Sequence, residues 1–253
     1  MYHAIPQNMS DGNLYKKLAK YYDKIYAEKD YAGEAEFIQW VVKKHKKSKG
    51  KKLIDIACGT GNHIQYLRNY YTVTGLDLNP EMLKLARKKV PDGKLIKGDM
   101  KKLALTEKFD VIICMFASIA YNLTYDELEN TLKLFYNHLQ TGGIMIFDIH
   151  IHEDYFLGGQ VWVNTVVEKD LQLARISPSP QKKEVLDLNL IFLIKEKGKI
   201  DFEIDQHHLG LFNATHVRKI MNNIGFKTKI YAGFNKKLWN KKMKSPLVFV
   251  GLK

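Results

Sequence analysis

A glycine-containing turn is the segment whose residue types and spacing most clearly indicate chemistry. Residues 55–61 read Asp-Ile-Ala-Cys-Gly-Thr-Gly and stand where a short apolar run passes into a helical pattern. Glycines at such a turn let the backbone approach a ligand closely and leave the helix N-terminus facing it. Asp77 closes the next predicted strand about 20 residues further on, where a carboxylate can accept hydrogen bonds from both ribose hydroxyls. Ile64 occupies the position of the third glycine in a dinucleotide fingerprint, so a nucleoside ligand without phosphates is favoured.

A second acidic position follows the third predicted strand. Asp99 is placed to accept a hydrogen bond from an adenine amino group, and Met100 beside it offers an apolar wall. These residues can meet the glycine turn if the strands are parallel, because ligands on such sheets bind beyond the carboxyl ends of the strands.

The order of predicted elements supports that arrangement. Helices are predicted over 13–29, 33–46, the segment after Gly61 through Ile64 and Leu67, 80–89, the segment from Leu128 to Phe135, and 213–224. Strands are predicted over 53–58, 71–77, 94–97, 109–115, 144–147, 226–232 and 246–251. Strands that alternate with helices pair in parallel through right-handed crossovers. We therefore expect an α/β fold with a doubly wound, mostly parallel, seven-stranded sheet.

The pattern changes after the fifth strand of this sheet. Residues 161–167, 171–177, 183–195 and 199–209 are predicted to form consecutive strands joined by tight turns. They indicate an antiparallel β insertion. We expect residues 1–150 and 210–253 to form the nucleoside-binding domain, and residues 151–209 to form an insertion that supplies a substrate pocket, a dimer contact or both.

Composition and motif content indicate the cellular compartment and bear on whether a metal site is present. No apolar run is long enough to span a membrane, and Met1–Asp11 lacks a secretory signal, so the cytoplasm is expected and no membrane partner. Cys58 and Cys114 lie in apolar runs and are predicted to be buried thiols. His150 and His152, with Glu153 and Asp154, form the one candidate metal cluster, but a His-x-His at a strand end is more often a pocket wall, so no metal is expected.

Lysine carries most of the net charge of +13. Two lysine-rich runs, at 43–52 and 236–244, could bind nucleic acid, the second with Phe234 and Trp239 nearby. A solvated lysine face is favoured instead, because arginine, the better reader of bases, is scarce.

Together these segments resemble class I S-adenosylmethionine-dependent methyltransferases. The resemblance rests on residues 55–61, Asp77, Gly98-Asp99-Met100, and Phe109-Asp110 followed by Met115-Phe116-Ala117-Ser118. Within that superfamily the chain is most similar to the N,N-dimethyltransferases of deoxyamino sugars, from Tyr22-Asp23 to the C-terminal strand. It departs from them on the substrate side, where residues 148–152 replace a Glu-Pro-Trp-Trp stretch and Lys244-Ser245-Pro246 replaces a Gly-Arg-Gly.

The resemblance implies S-adenosylmethionine as cofactor, S-adenosylhomocysteine as product, and a set of binding residues. That set is Ala57, Gly59 and Gly61 against the methionine part, Asp77 on the ribose, Leu78, Asp99 and Met100 around the adenine, Met115 below the sulfonium, and Tyr22 as a lid on the N-terminal helix.

Methyl transfer from a sulfonium is an in-line displacement, so the protein mainly supplies alignment and desolvation. Tyr15, Tyr121 and His150 are candidates to orient the acceptor or relay its proton, and His207 or His208 could also face the pocket. We therefore predict a methyltransferase that acts on a small molecule, at an amine nitrogen.

Three alternatives stay open at this point. The first is an RNA or protein methyltransferase that uses the basic surface, although residues 117–121 do not resemble the Asn/Asp-Pro-Pro-aromatic motif of nucleobase amino-methylases. The second is a non-catalytic binder, which the intact Gly59, Gly61, Asp77 and Asp99 make less favoured. The third concerns assembly, since the insertion offers a sheet that could pair with a second copy in a homodimer.

Overall fold

A computed structural model describes residues 9–153, 155, 159–178 and 185–253. The helices are α1 (Ala19–Ile25), α2 (Tyr31–His45), α3 (Asn62–Leu67), α4 (Pro80–Lys89), α5 (Tyr125–His138) and α6 (Ala214–Ile224). The strands are β1 (Met9–Asp11), β2 (Lys52–Ile56), β3 (Thr72–Asp77), β4 (Lys94–Lys97), β5 (Phe109–Cys114), β6 (Leu139–Ile149), β7 (Val161–Glu168), β8 (Leu171–Pro178), β9 (Val185–Glu196), β10 (Lys199–Gly210), β11 (Lys227–Ala232) and β12 (Leu247–Leu252). Short 3₁₀ helices cover Asn13–Tyr15, Met100–Lys102 and Ser118–Tyr121.

The central sheet has seven strands in the order β11-β12-β6-β5-β2-β3-β4. Strand β12 is antiparallel to both of its neighbours, and the other pairs are parallel. Every residue of β5 is buried, because α2 covers one face of the sheet and α5 and α6 cover the other. The predicted doubly wound fold is confirmed, including the two C-terminal strands.

A second sheet contains the predicted insertion. Strands β7, β8, β9 and β10 pair antiparallel in sequence order, and β1 joins them by lying parallel to β10. The sequence did not indicate β1, since a three-residue strand carries too little periodicity to recognise.

The predicted helix over 13–29 is wrong in extent. The chain forms a 3₁₀ turn at Asn13–Tyr15 and then the short helix α1. The physical reason is tertiary: the buried carboxylate of Asp205 on β10 accepts hydrogen bonds from the backbone N–H groups of Asn13 (2.8 Å) and Leu14 (2.7 Å). These contacts fix the first turn on the second sheet and separate it from α1.

The boundary between α5 and β6 also differs from the prediction. Helix α5 ends at His138, and Gly142 and Gly143 lie inside β6 rather than between the two elements. The carbonyl of Gly142 accepts from the N–H groups of Lys47 and Ser48. A side chain at Gly142, whose φ is +77°, would lie 2.9 Å from the Ser48 nitrogen, so this close approach requires glycine.

The second sheet packs over the carboxyl end of the central sheet through a core of its own. Leu14, Leu18 and Tyr22 from the N-terminal segment pack in one cluster with Leu173, Leu190 and Phe192 from the second sheet. Met82 of α4 joins the same cluster. The N-terminal helix is therefore held between the two sheets, above the turns that follow the central strands.

Several composition-based expectations can be compared with the structure. Cys58 and Cys114 are buried free thiols, as predicted. Within the described residues, no helix is long and apolar enough to cross a membrane. Residues 1–8 of the segment checked for a signal, and Asp154 of the candidate metal cluster, lie outside the described residues.

Lys44 and Lys236, one from each lysine-rich run, both lie over the Trp40 ring.

Candidate active site

A cavity of about 500 Å³, here called the first cavity, opens where β2, β3 and β4 end. Its volume is in the range of small-ligand sites. Most of the predicted cofactor residues line it: Tyr22, Ala57, Gly59, Asp77, Leu78, Asp99 and Met100. The topology explains this convergence, because the carboxyl ends of adjacent parallel strands meet at one edge of the sheet.

The glycine turn gives the first cavity its backbone wall. Ala57 and Gly59 have φ values of +57° and +55°, and both line the cavity. Gly61 does not line the cavity, and its contact with a ligand stays a prediction. Its Cα faces α4, where an added Cβ would lie 3.3 Å from the Ala86 Cβ, and glycine is required there for helix packing.

Asp77 supplies a buried carboxylate to the cavity. Its Oδ2 accepts from Gly59 N (2.8 Å) and its Oδ1 from Asn79 N (2.8 Å), which ties the glycine turn to the end of β3. Burial raises the pKa of Asp77 above its ordinary value, and these backbone hydrogen bonds oppose the rise. Each carboxylate oxygen has a further lone pair, so Asp77 can also accept from a vicinal diol.

Leu78, Asp99 and Met100 form the far end of the first cavity. Leu78 is 57% exposed although it is a large apolar side chain, which suits a surface that a flat ligand covers. Asp99 caps the turn at Met100–Lys102, its Oδ1 accepting from Lys101 N at 2.9 Å. This cap fixes the carboxylate beside the Met100 side chain.

Met115 is not where the sequence predicted it. The side chain is 2% exposed, packs in the core between α2 and the sheet, and does not line the first cavity. Phe116 takes its place at the cavity wall. Phe116 and Ala117 have φ values of +60° and +57°. Left-handed backbone is unfavourable for residues other than glycine, and such strain is common at functional sites.

Helix α1 is anchored to the glycine turn by polar contacts that sequence reasoning missed. Asp23 accepts from the Thr60 hydroxyl (2.6 Å) and from Asn62 Nδ2 (3.1 Å), and pairs with Lys89 of α4 (2.7 Å). The neighbouring residue Tyr22 is thereby held over the first cavity. The resemblance included Tyr22-Asp23, but nothing in the sequence alone indicated the partners of Asp23.

A second cavity of about 420 Å³ lies between the second sheet and the end of β6. Tyr15, Phe116, Tyr121 and His207 line both cavities and so form a shared wall. All three predicted catalytic residues, Tyr15, Tyr121 and His150, line the second cavity.

A hydrogen-bonded chain runs through the shared wall. The Tyr15 and Tyr121 hydroxyls are 2.8 Å apart, Tyr121 Oη is 2.8 Å from His207 Nδ1, and His207 Nε2 is 2.9 Å from Asp205 Oδ2. Asp205 can only accept when ionised, so the network assigns the proton to His207 Nε2 and a lone pair to Nδ1. Burial raises the pKa of both Tyr15 and Tyr121, so both phenols stay protonated near neutral pH.

His207 was one of two histidines expected near the pocket, and Asp205 was not anticipated. Adjacent His208 also lines the first cavity and pairs with Asp187 at 2.7 Å. The sequence pattern of β10 gave no signal for these two residues: apolar Ile200, Phe202 and Ile204 lie on one face of the strand, yet the buried face is that of Glu203, Asp205 and His207.

His150 and His152 face different surroundings. His150 Nε2 lies 2.6 Å from Asp148 Oδ2, and the ring packs edge-on against Phe116. Burial would raise the pKa of Asp148, but the charge and hydrogen bond of His150, the hydrogen bond from Ala117 N and the charge of Lys29 together lower it. His152 is fully buried, 3.0 Å from the Ser245 carbonyl oxygen. Within the described residues, no three His, Cys, Asp or Glu side chains are grouped as metal ligands.

Comparison with known proteins gives a consistent result. Residues 53–143 match the family described as "Methyltransferase domain". The dTDP-3-amino-3,4,6-trideoxy-alpha-D-glucopyranose N,N-dimethyltransferase of Streptomyces venezuelae is 30% identical over 219 residues, covering 85% of this chain and 92% of that relative.

Two solved structures share the fold. The crystal structure of Streptomyces venezuelae DesVI has a TM-score of 0.81 at 29% identity and covers 92% of this chain and 97% of its own. The S-adenosylmethionine-bound structure of CalS10, an amino pentose methyltransferase from Micromonospora echinaspora, has a TM-score of 0.78 at 22% identity, with 100% and 99% coverage.

The similarity to the Streptomyces venezuelae enzyme extends over nearly the whole of both sequences, so it includes the second sheet as well as the glycine turn. The predicted enzyme class and cofactor are both confirmed. This chain belongs to the family of S-adenosylmethionine-dependent methyltransferases that contains this N,N-dimethyltransferase.

Proposed function

We propose that the enzyme methylates an amine nitrogen of a small molecule held in the second cavity, and that amino sugars are the acceptor class. The observation that carries this proposal is the wall of four side chains shared by the two cavities. An in-line displacement needs donor and acceptor in direct contact, and a shared wall is the place where two ligands can touch. The name of the 30%-identical relative supports an amino sugar.

The residues of the first cavity fit S-adenosylmethionine. A buried carboxylate that can accept from a diol, a second carboxylate beside a methionine side chain, and a close backbone turn match its ribose, adenine and methionine parts. When bound, the cofactor supplies an activated methyl group on a cationic sulfur. Tyr15, Tyr22 and Phe116 line the first cavity, and aromatic rings can stabilise a cation through their π faces.

The hydrogen-bonded chain of the shared wall has a proposed role in moving the acceptor's proton. An amine needs a free lone pair to react, and the methylated product is an ammonium ion that must release one proton to become a neutral amine. Tyr121 can accept that proton while passing its own to His207 Nδ1, and Asp205 stabilises the imidazolium that forms. Tyr15 Oη orients the Tyr121 hydroxyl. His150, which lines the second cavity beside Phe116, remains a proposed contact for the acceptor.

Calorimetry with S-adenosylmethionine tests the cofactor half of the proposal. Wild type is expected to bind, and Asp77→Ala to bind at least tenfold more weakly, because each lost charge-assisted hydrogen bond contributes about 1.5–3 kcal/mol. Asp92→Ala, which removes an exposed carboxylate outside the cavity, is the matched control. Absence of binding by folded wild type would contradict the proposal.

Methyl-acceptor assays test the other half. Transfer to amino sugars, with no transfer to tRNA or to protein, is the expected result. Preferential transfer to tRNA would instead assign the function to the lysine-rich surface. No described contact favours that alternative at present, since the cavity lies under the second sheet rather than under the lysine runs.

The second sheet also supports the proposed homodimer. Its outer face exposes large apolar side chains, with Val163, Val167, Leu193 and Ile200 each more than half exposed. Exposed apolar surface of this kind is typical of an interface. Residues 151–209 would then serve both as a wall of the acceptor cavity and as a dimer contact. Sedimentation analysis is expected to give a dimer, and a monomer at all concentrations would contradict it. We keep the cytoplasm as the compartment, in agreement with two free thiols.

A further inference from the structure

The second cavity contains a histidine–carboxylate pair that the amine reaction does not use. His150 lines this cavity, and its Nε2 lies 2.6 Å from Asp148 Oδ2. The proton path proposed for an amine ends instead on the other such pair, His207 and Asp205. Because Tyr121 Oη lies 2.8 Å from His207 Nδ1, an acceptor meets the Tyr121 hydroxyl rather than that imidazole. His150 is therefore the imidazole that an acceptor can contact directly.

The buried carboxylate decides which ring nitrogen of His150 can act as a base. Asp148 is fully buried. Although burial would raise it, the pKa of this carboxyl lies below its ordinary value because charges and hydrogen bonds surround it, so Asp148 is ionised near neutral pH. An ionised carboxylate can only accept, which assigns the proton to His150 Nε2 and a lone pair to Nδ1. The His150 side chain is 35% exposed, and its Nδ1 has no hydrogen-bond partner among the described residues.

The turn at the shared wall places this imidazole close to the first cavity. Asp148 Oδ1 accepts from Ala117 N at 3.1 Å, which ties the end of β6 to the left-handed backbone of Phe116 and Ala117. The His150 ring packs edge-on against Phe116, with 5.5 Å between the ring centres. Phe116 belongs to the wall that the two cavities share. The imidazole is thus one ring away from the wall at which a methyl group would pass to an acceptor.

An imidazole in this state is useful to a hydroxyl acceptor. An amine reacts through a lone pair that it already has, whereas a hydroxyl oxygen becomes a strong nucleophile only as its proton leaves. A carboxylate behind a histidine fixes its tautomer and stabilises the imidazolium that forms. Phenols are the hydroxyls that give up a proton most readily, with a pKa of about 10 for a tyrosine side chain in water. Leu188, Leu190 and Trp162 also line the cavity and offer apolar surface to an aromatic ring.

We propose that the enzyme also methylates phenolic hydroxyls in the second cavity, with His150 as the general base and Asp148 as the residue that fixes its tautomer. His150 Nδ1 takes the phenolic proton while the oxygen–carbon bond forms. The carbon–sulfur bond breaks, and its electron pair stays on sulfur. The products are a methyl ether, S-adenosylhomocysteine and a proton, which the imidazolium releases to water. This inference rests on the proposed function only in assigning the second cavity to the acceptor.

Methyl transfer to matched pairs of acceptors tests the proposal. 4-Methylphenol with 4-methylaniline, and 2-naphthol with 2-naphthylamine, differ only in the acceptor atom, and the aniline nitrogen needs no base because its lone pair is free. Wild type is expected to methylate at least one of the phenols. His150→Gln and Asp148→Asn should lower transfer to that phenol, the first by about 100-fold or more, and leave transfer to the matching aniline unchanged. His216→Gln, which changes an exposed histidine on α6 outside both cavities, should keep wild-type rates.

A spectroscopic titration gives a readout that does not depend on turnover. 4-Nitrophenol, whose anion absorbs visible light, is titrated into enzyme saturated with S-adenosylhomocysteine, which has no methyl group to transfer. Wild type is expected to bind it and to raise its phenolate fraction above that in buffer at the same pH. His150→Gln is expected to give no such rise.

The outcomes distinguish this inference from the proposed function. If amines are methylated and neither phenol is, the inference is wrong and the proposed function stands. It is equally wrong if His150→Gln lowers phenol and aniline transfer by the same factor, because His150 is then only a contact, or if wild type does not raise the phenolate fraction of 4-nitrophenol. Transfer to phenols with none to any amine would contradict the proposed function instead, and absence of transfer to both classes would contradict both.

Discussion

Asp55, at the end of β2, is expected to make the stability of this enzyme depend on pH. The side chain is 1% exposed, and its Oδ2 has no hydrogen-bond partner among the described residues. Burial raises the pKa of Asp55 from 3.8 to about 7, while His63 lowers it and Asp77 raises it by smaller amounts. Between pH 3.8 and about pH 7 the folded protein holds a proton on Asp55 that the unfolded chain has released. Stability therefore falls as pH rises through this window and stays lower above it.

The magnitude follows from the size of the shift. One pKa unit corresponds to about 1.4 kcal/mol, so ionising Asp55 in the folded state costs roughly 4 kcal/mol above pH 7. At pH 5 the carboxyl is still protonated in the folded protein but has ionised in the unfolded chain. The free energy of unfolding is therefore already about 1.7 kcal/mol lower at pH 5 than at acidic pH, where both states are protonated. The difference between pH 5 and pH 8 is therefore about 2–3 kcal/mol.

Urea unfolding of wild type and Asp55→Asn at pH 5 and pH 8 measures this difference. Asparagine is nearly isosteric and does not titrate, so other ionisable groups cancel in the comparison. The free energy of unfolding of Asp55→Asn, relative to that of wild type, is expected to rise by about 2–3 kcal/mol between pH 5 and pH 8. Asp170→Asn, at an exposed turn, should show no such gain. If the difference between Asp55→Asn and wild type is the same at both pH values, Asp55 does not titrate in this window and the reasoning is refuted.

Three further predictions concern the glycine turn, the N-terminal cap of α6 and the wall shared by the two cavities. Gly61→Ala should destabilise the fold by about 1–2 kcal/mol more than Gly198→Ala. Both glycines have φ near +80°, but only a Cβ at Gly61 would contact another residue, Ala86. Equal losses of unfolding free energy in urea would contradict this. Asn213→Ala should cost about 1 kcal/mol, because the side chain accepts from Thr215 N and His216 N at the start of α6; an unchanged unfolding midpoint would exclude a capping role. Tyr121→Phe should lower kcat about 10- to 100-fold by interrupting the path to His207, and a fully active variant at saturating acceptor would exclude the relay.

Local chemistry in the sequence was enough to predict that the glycine turn, Asp77 and Asp99 lie together at one cavity. The glycine turn, Asp77 and Asp99 follow the ends of successive strands, and parallel topology brings such positions to one edge. The strands of the insertion were also predicted to within two residues at each end, because the alternation of apolar and polar residues is a local period-2 pattern.

The tertiary structure decided the acceptor half. Tyr15, Tyr121 and His207 come from three separate segments and meet because the N-terminal turn is bound to Asp205 on β10. Nothing in their sequence spacing encodes that contact. Left-handed backbone at Phe116 likewise turned its ring into both cavities and left Met115 in the core. The sequence by itself determined a nucleoside-binding sheet, since periodicity and turn residues act locally. Only the packing of the second sheet on that edge created a second cavity beside it, because its walls are contributed by residues far apart in the chain.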